Sequence, residues 1–66
     1  MSKIEFIEML RTNYKRSLLS KRETANELNI SSATIDRLRK SGAISSRKVG
    51  GGIYFTLDEI ANFVYN

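Results

Sequence analysis

Apolar residues recur at helical spacing in four stretches of this 66-residue chain, and between the third and fourth they alternate around a run of glycines. The first stretch carries Ile4, Ile7, Leu10 and Tyr14 as its main stripe, with Phe6 and Met9 to one side. Ser2 and Glu5 form Ser-x-x-Glu, a capping box in which each side chain satisfies a backbone N–H, so a helix is expected from Lys3 to about Tyr14 or Lys15. The same box recurs at Ser20 and Glu23 and predicts a second helix from Lys21 that turns Ala25 and Leu28 inward. Asn29 is the expected stop, because Asn tolerates the left-handed conformation better than most residues other than Gly. Ser31 then serves as a new N-cap for a helix carrying Ile35 and Leu38, with Ile30 joining them from the turn and Gly42 ending it. Val49, Ile53 and Phe55 around Gly50, Gly51 and Gly52 read as two short strands with a Gly-rich turn. A third box, Thr56 with Glu59, opens a last helix whose Leu57, Ile60, Ala61 and Val64 face the core.

These elements predict a mostly α fold with a small β-hairpin. The expected order is an N-terminal helix over residues 1–17, two helices with a tight turn over 18–42, a hairpin over 43–56 and a closing helix over 57–66, all in one domain. The stretch KRETANELNISSATIDRLRK is the most informative part, since two short helices around a tight turn, the second ending in bases, form the pattern of a helix-turn-helix. Ala25, Asn29 and the apolar set Leu28, Ile30, Ile35 and Leu38 carry that pattern. From Leu18 to Val64 the chain resembles the compact winged helix-turn-helix DNA-binding domains of the MerR and phage excisionase type, in which the helix pair, a Gly-containing wing and a closing helix follow in that order. It departs from them at Asn29, where the family often has Gly, and at Gly51 and Gly52, where its wing often has a base.

Composition removes several other classes. There is no Cys and no His, so disulfides, Cys-based zinc sites and the commonest general base are excluded, and no cofactor or metal is expected. No apolar run approaches the roughly 18 residues of a membrane span, and no signal-peptide order opens the chain, so a cytoplasmic location is the default expectation. The best case for an enzyme pairs Glu23 with Glu27, four apart on one helix among bases, which is ordinary helix-surface chemistry; no enzymatic activity is expected. The net charge of +4 is unevenly spread: residues 20–48 hold seven bases and three acids, residues 49–66 no base and two acids. Such a bias suits a polyanion, although basic charge also keeps small proteins soluble.

The second helix of a helix-turn-helix enters the major groove, so base edges are expected to meet the face opposite Ile35 and Leu38: Ser32, Ala33, Asp36, Arg37 and Lys40. Arg37 leads, because a guanidinium can give two hydrogen bonds to guanine. Asp36 either accepts from cytosine or pairs with a nearby base such as Lys40, and the pairing is favoured. Lys21, Arg22, Thr34, Arg39, Arg47 and Lys48 are expected on phosphates, and Tyr54 on sugar or phosphate or on the wing itself. Phe6 and Met9 either seal the domain's own core or form an oligomer contact, the core being slightly favoured.

The expected partner is double-stranded DNA. The resemblance implies an excisionase-like architectural role, with cooperative binding to repeated sites alongside an integrase. A small phage or plasmid transcription regulator stands close behind. In a third reading, the apolar face of the first helix makes the chain a protein-interaction module or inhibitor.

Overall fold

The computed structural model describes residues 1–65. Its elements in chain order are α1 (Lys3–Tyr14), β1 (Leu18–Ser20), α2 (Lys21–Leu28), α3 (Ser32–Ser41), β2 (Arg47–Val49), β3 (Gly52–Thr56) and α4 (Leu57–Tyr65). This is a winged helix-turn-helix with an additional N-terminal helix.

The expected caps set the helix limits. Ser2 Oγ accepts from the Glu5 N–H at 3.1 Å while Glu5 Oε1 accepts from the Ser2 N–H at 2.8 Å, and Lys15 stops α1 in the left-handed region at φ 54°. Ser20 and Glu23 form the same reciprocal pair at 3.0 and 2.9 Å. Asn29 is left-handed at φ 59°, and the Ile30 N–H then closes α2 on the Ala25 carbonyl at 3.0 Å. Gly42, at φ 83°, ends α3 in the same way, with the Ala43 N–H on the Leu38 carbonyl at 2.9 Å. These bonds satisfy carbonyls that a helix end otherwise leaves unpaired.

The expected hairpin is one half of a three-stranded antiparallel sheet in the order β1-β3-β2. Leu18, Leu19 and Ser20 pair with Thr56, Phe55 and Tyr54, and Arg47, Lys48 and Val49 with Tyr54, Ile53 and Gly52. β1 gives no signal of its own in the sequence, since three residues are too few for a period-two pattern to show. It exists because β3 offers a free edge and because Leu19, opposite Phe55, is fully buried. Gly50 and Gly51 form a two-residue loop between β2 and β3. Gly50 alone has positive φ, 59°, the pattern of a type II′ turn, whose twist matches that of the strands.

The core is Leu10, Leu19, Ala25, Ile35, Ile44, Phe55, Leu57 and Ile60, with Phe6, Ile7, Met9, Tyr14, Leu28, Ile30, Leu38, Ile53 and Phe63 packed around it. Two expectations are corrected here. The buried face of α1 is turned toward Phe6, so Ile4, placed on the stripe, is 68% exposed; Phe6 and Met9 are partly buried against the domain's own core, the favoured of their two readings. α1 docks chiefly on α4, and the Phe6 ring meets Tyr65 edge to face at 5.6 Å, which pulls that side of the helix inward. Val64, one turn beyond the buried Leu57, Ile60 and Ala61, is 43% exposed; Phe63 and Tyr65 anchor the last turn in its place.

α1 is therefore structural. Leu10→Ala should cost about 2–5 kcal/mol through lost burial and the cavity left behind, whereas Ile4→Ala should stay within about 0.5 kcal/mol of the parent. Urea unfolding of the two variants checks this, and equal midpoints would refute the assignment of the buried face.

Candidate nucleic-acid interface

α3 and the wing hold most of the DNA-contact residues singled out from the sequence, with Lys21 and Arg22 at the start of α2. On α3 the burial follows the helical period: Ile35 is buried, Leu38 is half-buried against the core, and Ser32, Ala33, Arg37 and Lys40 are exposed on the opposite face. That face is small, with one guanidinium, one ammonium, one hydroxyl and one methyl group.

Arg37 does not hang free from it. Ser31 Oγ caps α3 by accepting from the Thr34 N–H at 3.1 Å and shares a hydrogen bond with Thr34 Oγ1 at 2.9 Å. The Arg37 guanidinium donates to the same Thr34 Oγ1 at 3.1 Å. The relay Ser31–Thr34–Arg37 runs up one side of the first two turns and draws Arg37 toward the helix N-terminus. A guanidinium has five N–H donors, so one bond to Thr34 leaves a fork free for an acceptor pair. The three-residue spacing was visible in the sequence, but the part of Thr34 as the holder of Arg37 was not.

Asp36 pairs as favoured, but with other partners. Its carboxylate accepts from Lys21 Nζ at 3.1 and 3.2 Å and from the Arg39 guanidinium at 3.2 Å, in place of the expected Lys40. Lys21 starts α2, so the contact spans the two helices, and Lys40 is left exposed in the last turn of α3. The hydrogen bond from Lys21 and then that from Arg39 hold the Asp36 carboxyl below its ordinary value.

In the wing, Arg47 reaches Glu59 Oε2 at 3.1 Å, and Glu59 is 11% exposed. The other oxygen of Glu59 caps α4 by accepting from the Thr56 N–H at 3.0 Å. The Thr56–Glu59 box was legible; its second use, holding Arg47, depends on strand pairing that places β2 near α4. Tyr54 lies over Gly52, where an added methyl group would come within 2.7 Å of Tyr54 Cε2, so the ring packs on the wing itself. Lys48 and Val49 are exposed beside the turn.

Among the described residues, three of the seven bases in residues 20–48 are thus in ion pairs, Lys21, Arg39 and Arg47, and Arg22, Arg37, Lys40 and Lys48 are in none. Glu23 and Glu27, the acids considered for catalysis, are occupied as well: Glu23 caps α2 and pairs with Arg16, and Glu27 accepts from the Tyr14 hydroxyl at 2.9 Å. Among the described residues no cluster of acids could hold a metal ion, and no helix is long and apolar enough to cross a membrane.

The Asp36 contact has a testable acid limit. Because its folded value lies below the unfolded one, its contribution to stability is present above about pH 4 and is lost as pH falls through the lowered value. Thermal unfolding from about pH 6 to about pH 2.5 should show a smaller acid-induced fall in Tm for Asp36→Asn than for the parent. Equal falls would show that the contact does not form in solution.

No curated protein and no solved structure matches the chain. The helix-turn-helix domain family matches residues 18–64, from the first residue of β1 into the last turn of α4, and leaves α1 outside. With 47 of its 66 residues in that match and the helix pair, wing and closing helix in place, the chain belongs to the helix-turn-helix domain family, and the partner this family points to is DNA.

Proposed function

We propose that the chain binds double-stranded DNA in a sequence-specific manner by laying α3 in the major groove. The observation that carries this reading is the exposed face of α3 with Arg37 held in place by Thr34 and Ser31. Arg37 reads guanine O6 and N7, Ser32 and Lys40 meet neighbouring acceptors, and Ala33 offers a methyl contact to thymine. Arg22 at the start of α2 and Lys48 in the wing neutralise phosphates, which fixes register without reading sequence. Thr34 serves as the positioning residue of Arg37, and Tyr54 keeps the Gly-rich wing stiff from above Gly52.

The finer role we propose is an excisionase-like architectural one, with copies bound side by side on repeated sites and an integrase as their client. Its support is the resemblance over residues 18–64 together with the size of the reading face: four side chains on one helix supply too few base contacts for tight binding by one copy. Adjacent copies make up the difference. A small transcription regulator would use the same α3. The two separate on DNA bending, which an architectural factor produces at its site and which circularly permuted duplexes report through their gel mobility. The reading as a protein-interaction module is the less favoured one, since Phe6 and Met9 are packed against the core.

Selection from a random duplex pool, with sequencing of the bound fraction, tests the main proposal. Enrichment of a short motif supports it, and absence of binding at low salt overturns it. On the selected site, Arg37→Ala should lose about 1–3 kcal/mol of discrimination at one or two base pairs. If it discriminates as the parent does, α3 is not read through Arg37. Lys48→Ala should weaken every duplex alike and flatten the slope of log K against log salt by about 0.9, one phosphate. An unchanged slope would remove the wing from the interface.

A further inference from the structure

Asp36 is the only acid on α3, and it sits at the edge of a surface meant for a polyanion. A free carboxylate there would repel phosphates. The structure does not leave it free: it gathers Lys21 from α2 and Arg39 from its own helix, at 3.1 to 3.2 Å. Two bases that by type belong on phosphates are turned sideways into the junction of the helix pair.

Arg39 is held there against its own preference. Its Nε is buried and has no hydrogen-bond partner, while its terminal nitrogen donates to Asp36. An unpaired buried N–H is unfavourable, so the bond to Asp36 is what keeps the guanidinium folded in. Without that carboxylate, Arg39 gains by swinging out, where all its donors meet water or phosphate. Lys21 is partly exposed and is free to follow.

We propose that Asp36 restrains sequence-independent DNA binding by withholding Lys21 and Arg39 from the phosphate backbone. This rests on the reading of α3 as the groove helix. Phosphate contacts raise affinity for every duplex equally, whereas Arg37 raises it only where its base is present. Sequestering two of the bases lowers affinity for every duplex by the same factor and leaves the discrimination made by Arg37 untouched, so duplexes that lack the site are held weakly and release the protein sooner. Asp36 acts through its neighbours and need not touch a base.

The test is the salt dependence of binding to a random-sequence duplex, measured for the parent, Asp36→Ala, Glu8→Ala and the double variant Lys21→Gln/Arg39→Gln. Each released phosphate contact steepens the slope by about 0.9, so the affinity lost between about 50 and 200 mM salt should grow by roughly 3-fold for one base and roughly 12-fold for two in Asp36→Ala. Glu8→Ala removes an equal charge from an exposed position on α1 and should keep the parental slope. If both acid variants steepen alike, the effect is one of overall charge and the proposal falls. The double variant should keep the parental slope to within one phosphate; a loss of two would mean that Lys21 and Arg39 already lie on DNA, which overturns the proposal even if Asp36→Ala fails to fold. A parent that binds no duplex at low salt sinks the DNA reading itself. A parent that binds, with the slope of Asp36→Ala unchanged, sinks only the role of Asp36.

Discussion

The three-residue ladder between β1 and β3 constrains the rest of the molecule. Its central pair, Leu19 opposite Phe55, is fully buried, and each strand runs straight into a helix. Ser20, the last residue of β1, is the N-cap of α2; Thr56, the last of β3, receives and returns the hydrogen bonds that open α4. No linker absorbs error at either junction. Once Leu18 faces Thr56 and Ser20 faces Tyr54, the starting points of both helices are fixed relative to the sheet, and a slip of one residue would put Leu19 and Phe55 on opposite faces of it. α3 inherits this placement through the left-handed turn at Asn29, so the direction of its exposed face follows from a ladder that α3 itself does not join.

What the sequence made legible was mostly local. Capping boxes, left-handed stops and the inward pair Ile35 and Leu38 depend on residues within four positions of one another, and each lies where its spacing placed it. Contacts between distant segments were out of reach. β1 required knowledge of the edge of β3. The partners of Asp36 and Glu59 lie on other elements, so helical spacing offered Lys40 where Lys21 was the answer. The orientation of α1 was misjudged for the same reason: spacing put Ile4 on the stripe and Phe6 to one side, and the packing of Phe6 against Tyr65 of α4 was beyond its reach. At the candidate site, the residue types and their helix could be read, while the division into free and restrained bases could not.

α1 lies outside the span shared with the family, yet it is bound into the core. Leu10 is fully buried, and the hydroxyl of Tyr14 donates to Glu27 on α2. Burial, and then that hydrogen bond, favour the neutral phenol and raise its pKa. In a chain this short, no element but α4 lends more than one fully buried apolar side chain, so an added helix contributes a sizeable share of the buried apolar surface. α1 also lies against α4 rather than α3, which leaves the exposed face of α3 uncovered.

The charge pattern of the helix pair has a logic of its own. The bases of residues 20–48 divide into those fixed by a carboxylate and those that are not; two of the fixed ones, Lys21 and Arg39, meet at Asp36 on α3, and the third, Arg47, is held by Glu59 of α4. Arg37, the one guanidinium left in the middle, is restrained by hydroxyls rather than by an acid. That difference matters chemically. A neutral acceptor orients a guanidinium without neutralising it, so Arg37 keeps its full charge and a free fork, whereas a carboxylate would occupy both. Ser31 links this to folding, because the hydroxyl that shares a hydrogen bond with Thr34 is also the N-cap of α3. The geometry of the Arg37 side chain is therefore tied to the first turn of its own helix, and forming that turn also sets Arg37 in its place.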